Sequence, residues 1–168
     1  MTFSLSIGRG HSPGDGRRRK SALLGAVLAL ACMLGHAAPE TVELEALTWP
    51  ELRDRIAAGT TIVLVPIGGT EQNGVHMALG KHNRRVLLLA ERIARQLGNA
   101  LVAPVVAYVP EGRVEPPTGH MRWPGTITVP DGAFEASLER AARSLHRAGL
   151  KNVVLLGDSG GNLNPMKE

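Results

Sequence analysis

Six residues in a row, Ile62-Val63-Leu64-Val65-Pro66-Ile67, are apolar and mostly β-branched, and Gly68-Gly69 follows at once. Such a run, bounded by a glycine pair, predicts a strand covered on both faces. A polar loop carrying Glu71, His76 and His82 comes directly after it. In open α/β sheets the loops at the carboxyl ends of strands are where sites are built. The one segment from Thr61 to Asn83 therefore asks for helices on two sides of a sheet and points to where chemistry would sit.

The rest of the chain supplies those helices. Thr48 opens a short helix with a capping box to Glu51, with Pro50 in the first turn, Trp49, Leu52 and Ile56 on one face, and Gly59 as its end. Asn83 is expected to cap a second helix, in which Val86, Leu87, Ala90, Ile93, Ala94 and Leu97 recur at helical spacing up to Gly98. Leu101 to Ala107 reads as a strand that Pro104 confines to an edge or cuts short. Val109 to Pro124 is rich in proline and glycine and reads as an irregular loop, after which Thr126 to Val129 alternates like a short strand. Asp131 is expected to cap a third helix with Phe134, Leu138, Ala142 and Leu145 on its apolar face and Gly149 as its stop. Asn152 to Leu156 is the last strand, and Gly157-Asp158-Ser159-Gly160-Gly161-Asn162 is the loop at its carboxyl end. Strands alternating with helices predict parallel βαβ units, hence a three-layer α/β/α domain on a mostly parallel sheet.

Composition matters most at the amino terminus. Arg17-Arg18-Arg19-Lys20 precede an apolar run from Ala22 to Leu34, and Gly35-His36-Ala37-Ala38 offers small residues for cleavage. That layout predicts a secretory signal over residues 1–38, a domain over 39–168, and a periplasmic or secreted location. The run is too short for a permanent bilayer span, so no stable membrane segment is expected after signal removal. The competing reading is a buried N-terminal helix. Of the 19 basic and 15 acidic residues, five and one fall within residues 1–38, so the remainder carries 14 of each. The formal charge of +4 belongs to the export signal, and no basic surplus remains to suggest nucleic acid or an anionic membrane. Cys32, the single cysteine, lies inside the apolar run, so the domain has no disulfide and depends on its core. Ala29, three residues before Cys32, stands where lipid attachment usually wants a branched apolar residue.

The loop Pro66-Ile67-Gly68-Gly69-Thr70-Glu71-Gln72-Asn73-Gly74-Val75-His76-Met77-Ala78-Leu79-Gly80 resembles the signature loop of the creatininase (creatinine amidohydrolase) family, usually Pro-x-Gly-x-x-Glu-Gln-His-Gly-x-His-Leu-Pro-Leu-x-Thr-Asp. His120-Met121-Arg122-Trp123-Pro124-Gly125-Thr126 is similar to the family's His-x-x-Phe-Pro-Gly-Thr. Gly157 to Asn162 is similar in part to Asn-Gly-His-Gly-Gly-Asn. Three positions depart from the pattern. Asn73 replaces the first motif histidine, His82 stands where the family has a metal-bridging aspartate, and Ser159 replaces a histidine ligand. The resemblance runs from Val42 to about Asn162, the first half to two-thirds of a typical member, so an incomplete C-terminus is expected.

The resemblance implies a metal-dependent amidohydrolase acting on a small cyclic or linear amide, with zinc or manganese as the divalent metal and, in many members, a hexamer. Carried over by position, it implies Glu71, His82 and Asp158 as metal ligands and His76 and His120 as catalytic residues. Counting those groups gives enough ligands for one ion and barely for two. The competing expectation is a noncatalytic periplasmic binding or remnant protein on the same fold with an eroded metal centre.

Overall fold

The computed structural model describes residues 41–162 and residue 166. The expected signal segment and the cleavage site lie outside the described residues. Strand β1 (Ile62–Ile67) is the middle of a three-stranded sheet, with β2 (Ala100–Val102) on one side and β3 (Asn152–Gly157) on the other. Both ladders are parallel. Ile62 to Leu64 pair with Ala100 to Val102, and Ile62 to Ile67 pair with Asn152 to Gly157.

The alternation of β1 sorts the helices into two layers. Leu64, with Ile62 and Leu156, packs against Ala90, Ala94, Leu87 and Ile93 of α2 (Lys81–Leu97). Val63 and Val65 face the opposite way, toward Ile56 of α1 (Trp49–Ala57) and Leu145 of α3 (Asp131–Arg147). Ile67 continues that second face against Phe134 and Leu138 of α3. The result is the expected three-layer α/β/α arrangement, and β1 is buried on both faces because helices cover both.

Pro66 is tolerated in the central strand for a visible reason. Its carbonyl accepts from Val106 N on the β2 side, so the absent N–H falls on that side too, where the ladder has already ended at Leu64 and Val102. The run after Val102, expected to reach Ala107, leaves the sheet at Ala103-Pro104 and returns for a single bridge between Val106 and Ile67.

Four local expectations are corrected. Trp49, grouped with Leu52 and Ile56 by spacing, is 75% exposed, and its ring lies under the Arg53 guanidinium. Asn83 is not the cap of α2, which begins two residues earlier, after Gly80. Its side chain is used across the fold instead: Oδ1 accepts from Gly69 N at 2.9 Å, and Nδ2 donates to Thr70 Oγ1 at 3.2 Å. Asp131 is the first residue inside α3 rather than its cap, and Pro130 holds the capping position. Thr126 to Val129 forms no strand. Ile127 N donates to Thr70 O and Val129 N to Val109 O, one bond to each of two different segments, which makes it a strap rather than a ladder.

The capping box at α1 forms as expected, with Thr48 N donating to Glu51 Oε2 at 2.7 Å. Among the described residues no helix is long and apolar enough to cross a membrane.

Candidate metal centre

Both parallel ladders deliver their carboxyl ends to the same edge of the sheet. Glu71 leaves β1 on a loop closed by a hydrogen bond from its own N to Leu79 O, and Asp158 follows β3 directly, its N donating to Ile67 O. His82 sits in the first turn of α2, between them. The three side chains form one buried chain. His82 Nε2 lies 2.8 Å from Glu71 Oε1, and His82 Nδ1 lies 2.6 Å from Asp158 Oδ2.

The first turn of α2 contains no acidic residue and is instead basic, with Lys81, His82, Arg84 and Arg85. Cations at a helix N-terminus oppose its dipole. Asp158 supplies the missing negative charge: Arg85 Nε donates to its Oδ1 at 2.7 Å and Oδ2 at 2.9 Å, and the guanidinium reaches its backbone oxygen at 3.4 Å. Burial would raise the Asp158 carboxyl, but hydrogen bonds from Arg85 and His82, together with their charges, outweigh it and hold the group below the usual carboxylate range. A depressed folded-state pKa contributes stability that is present above the unfolded value and lost as pH falls through the folded one. The carbon resonance of this carboxyl should therefore titrate by NMR below about 3.9, the ordinary aspartate value. A midpoint at or above that value would mean that burial prevails over Arg85.

A second group of donors lies on the other side of Glu71. One ligand atom each from Glu71, Glu111 and His120 falls within 4.8 Å of the others. Glu71 is 3% exposed and Glu111 6%, while the His120 side chain is half-buried. Glu71 Oε2 and Glu111 Oε1 are buried and have no hydrogen-bond partner. His120 Nδ1 stands 3.4 Å from Glu71 Oε2 and 3.2 Å from Gln72 O.

The loop holding Glu111 and His120 is laced together. His120 N donates to Glu111 O, Glu111 N donates to Thr128 Oγ1, and Thr126 Oγ1 donates to His120 O while receiving Gln72 N. These bonds tie the irregular stretch to itself and to Gln72 on the signature loop. Burial, followed by the hydrogen-bonding proximity and charge of Glu71, pushes the Glu111 carboxyl up to about 8. Two facing carboxylates leave two oxygens without a donor, and either a shared proton or a divalent cation resolves that. Carboxylate oxygens and an imidazole nitrogen suit zinc or manganese, so the donor set fits such an ion.

The expected site residues are thus distributed unevenly. Glu71 belongs to both groups. His82 and Asp158 converge on it as expected, but as hydrogen-bonding partners: each nitrogen of His82 already faces a carboxylate, and both oxygens of Asp158 already accept from Arg85 or His82. His120 is brought to the cluster, whereas His76 is exposed on the loop and outside it. Ser159, where the family pattern has histidine, is buried. Glu111 and Arg85 were not singled out from the sequence. The basic first turn of α2, with no acid of its own, was the available signal for Arg85, while Glu111 lies in a loop without periodicity and gave none.

A surface groove of about 520 Å³ is lined by Ala142, Arg143, His146, Arg147, Lys151 and Val153, and none of the buried donors reaches it.

Comparison with known proteins bears on the family and the fold. The family model for creatininase, described as creatinine amidohydrolase, matches residues 45–168. The chain is 30% identical over 110 residues to the creatinine amidohydrolase of Pseudomonas putida, covering 66% of this chain and 42% of that protein. It is 33% identical over 110 residues to the mycofactocin precursor peptide peptidase of Mycolicibacterium smegmatis, covering 62% and 42%. The chain therefore spans less than half the length of these relatives. Among solved structures, a manganese creatininase superposes with a TM-score of 0.66 at 30% identity, covering 77% of this chain and 49% of that one. A creatininase variant of Zn-Zn type superposes with a TM-score of 0.65 at 30% identity, covering 76% and 49%. With its parallel sheet, its signature loop after β1 and a family match over most of its length, this chain belongs to the creatininase (creatinine amidohydrolase) family.

Proposed function

We propose that this protein is a metal-dependent amidohydrolase that holds a divalent ion, zinc or manganese, on Glu71, Glu111 and His120 and acts on a small cyclic or linear amide. The observation that carries the reading is the pair of buried, unpartnered oxygens, Glu71 Oε2 and Glu111 Oε1, beside an imidazole. Solved creatininases in manganese and zinc forms support the choice of ion. A bound divalent ion supplies an activated water and polarises the carbonyl under attack.

The chain's own groups would do the rest. Glu71 and Glu111 would each supply a carboxylate oxygen, and His120 a ring nitrogen from the mouth of the site, where its half-exposed side chain meets solvent. Val75 and Met77 on the signature loop and Trp123 beside His120 are exposed apolar side chains, which suits a substrate with an apolar body around its amide. The two relatives are named for creatinine and for a precursor peptide, so amides of both kinds are candidates. Export to the periplasm and assembly into a hexamer belong to the same proposal.

Metal analysis of the purified protein should show one ion per chain, and zinc or manganese should restore hydrolysis of creatinine or of a short peptide amide after chelation. Glu111→Gln should lower ion affinity by at least the roughly 10–100-fold that follows loss of a ligand's support. Protein without ion and without turnover would favour the second reading, a noncatalytic binding or remnant protein. The observation favouring that reading is that His82 and Asp158 are both committed to other partners.

A further inference from the structure

We propose that Arg85 is a positioning residue for the ion site, acting through Asp158 and His82 to lock the Glu71 carboxylate in the orientation that presents Oε2. The proposal rests on the metal reading above and assigns a role to residues outside the ligand set.

The geometry is a single line of contacts across three elements. Arg85 Nε donates to Asp158 Oδ1 at 2.7 Å, Asp158 Oδ2 meets His82 Nδ1 at 2.6 Å, and His82 Nε2 meets Glu71 Oε1 at 2.8 Å. It begins at a side chain that is 54% exposed and ends at one that is 4% exposed. A carboxylate free to turn can offer either oxygen or both. Glu71 cannot, because Oε1 is taken by His82, and Oε2 is left without a hydrogen-bond partner on the side of His120.

In this arrangement both ring nitrogens of His82 face the carboxylates of Glu71 and Asp158, and the imidazole is assigned to those two contacts and not to the ion. The imidazole therefore works as a strut between the end of β3 and the loop after β1. Asp158 is the hinge of the strut, and Arg85 stops it from swinging toward solvent. A charge on the exposed face of α2, touching no ligand atom, then sets the affinity of a buried site.

The test measures zinc binding to the full chain by calorimetry and counts imidazole ligands by pulsed EPR of the copper(II) form. Arg85→Ala should bind zinc about 10-fold more weakly with unchanged stoichiometry, the scale on which outer partners of ligands act. Arg85→Lys should recover part of the loss, since it restores the charge but not the two-oxygen contact. The copper spectrum should show one imidazole in the unaltered protein, still one in His82→Gln, and none in His120→Asn. Circular dichroism controls for folding, and Arg85, being exposed, can be removed without opening the core. Equal zinc affinity in Arg85→Ala, or a second imidazole that disappears in His82→Gln, overturns the proposal. Absence of any ion from the unaltered protein overturns the metal reading itself, a different result from loss of the Arg85 effect.

Discussion

Replacing Glu71 with alanine is expected both to abolish ion binding and to destabilise the fold by about 1–3 kcal/mol, the usual cost of leaving a buried polar group without its hydrogen-bond partner. Glu71 serves two neighbours at once. Oε1 is the partner of His82 Nε2, and Oε2 is one of the two unpartnered oxygens at the ion site. His82 is 6% exposed, so water cannot take over the contact without opening the loop. Glu71→Gln separates the two functions. Its amide oxygen can still accept from His82 while its NH₂ faces Glu111, so most of the stability should survive while the ion does not bind. Urea denaturation and calorimetric titration of the two variants check this. An alanine variant less than about 1 kcal/mol below the unaltered protein, the range of an exposed ion pair, would show that the loop re-solvates and that the pair is not buried in solution.

The sheet was legible because its central strand is an uninterrupted apolar run, a pattern that survives without knowledge of any partner. Helix α2 was legible for the same reason, through Val86, Ala90 and Ala94, all of which are buried. Its start was not. Asn83 has the chemistry of a cap, but a cap is recognised by its local backbone bond, and this side chain is drawn to Gly69 and Thr70 on another segment. Asp131 was misplaced by a single position, within the ordinary uncertainty of helix ends. The site divides along the same line. Glu71, His82 and Asp158 each sit at the end of a strand or the start of a helix, where topology alone predicts convergence. Their roles did not follow, because whether a nitrogen of His82 is free depends on carboxylates 11 positions away and 76 positions away in the chain. Glu111 had no local signal at all. It reaches Glu71 only because a loop of prolines and glycines is pinned by Thr118, Thr126 and Thr128, contacts that no periodicity announces.

That pinning is what a single methyl group should undo. At Gly112 φ is +125°, a backbone that side chains other than hydrogen rarely accept, and an added Cβ would lie 2.2 Å from Thr118 O and 2.9 Å from Thr118 C. Both obstacles are main chain, so no rotamer change relieves them. Gly59 offers the matched control: its φ is +110°, yet nothing lies within 4 Å of an added Cβ. Gly59→Ala should therefore cost about 1–2 kcal/mol from backbone conformation alone. Gly112→Ala should carry that cost and about 1–3 kcal/mol more for the overlap. The two variants should also differ in function. Displacing Thr118 disturbs its bonds to Arg113 and, through Gly119, the turn that carries His120 back to Glu111, so ion affinity should fall in Gly112→Ala and stay unchanged in Gly59→Ala. Thermal unfolding and zinc titration of the pair measure both differences. Equal stability and equal affinity in the two variants would mean that the loop gives way to the methyl group, and that Glu111 and His120 are held by less than the hydrogen bonds described above.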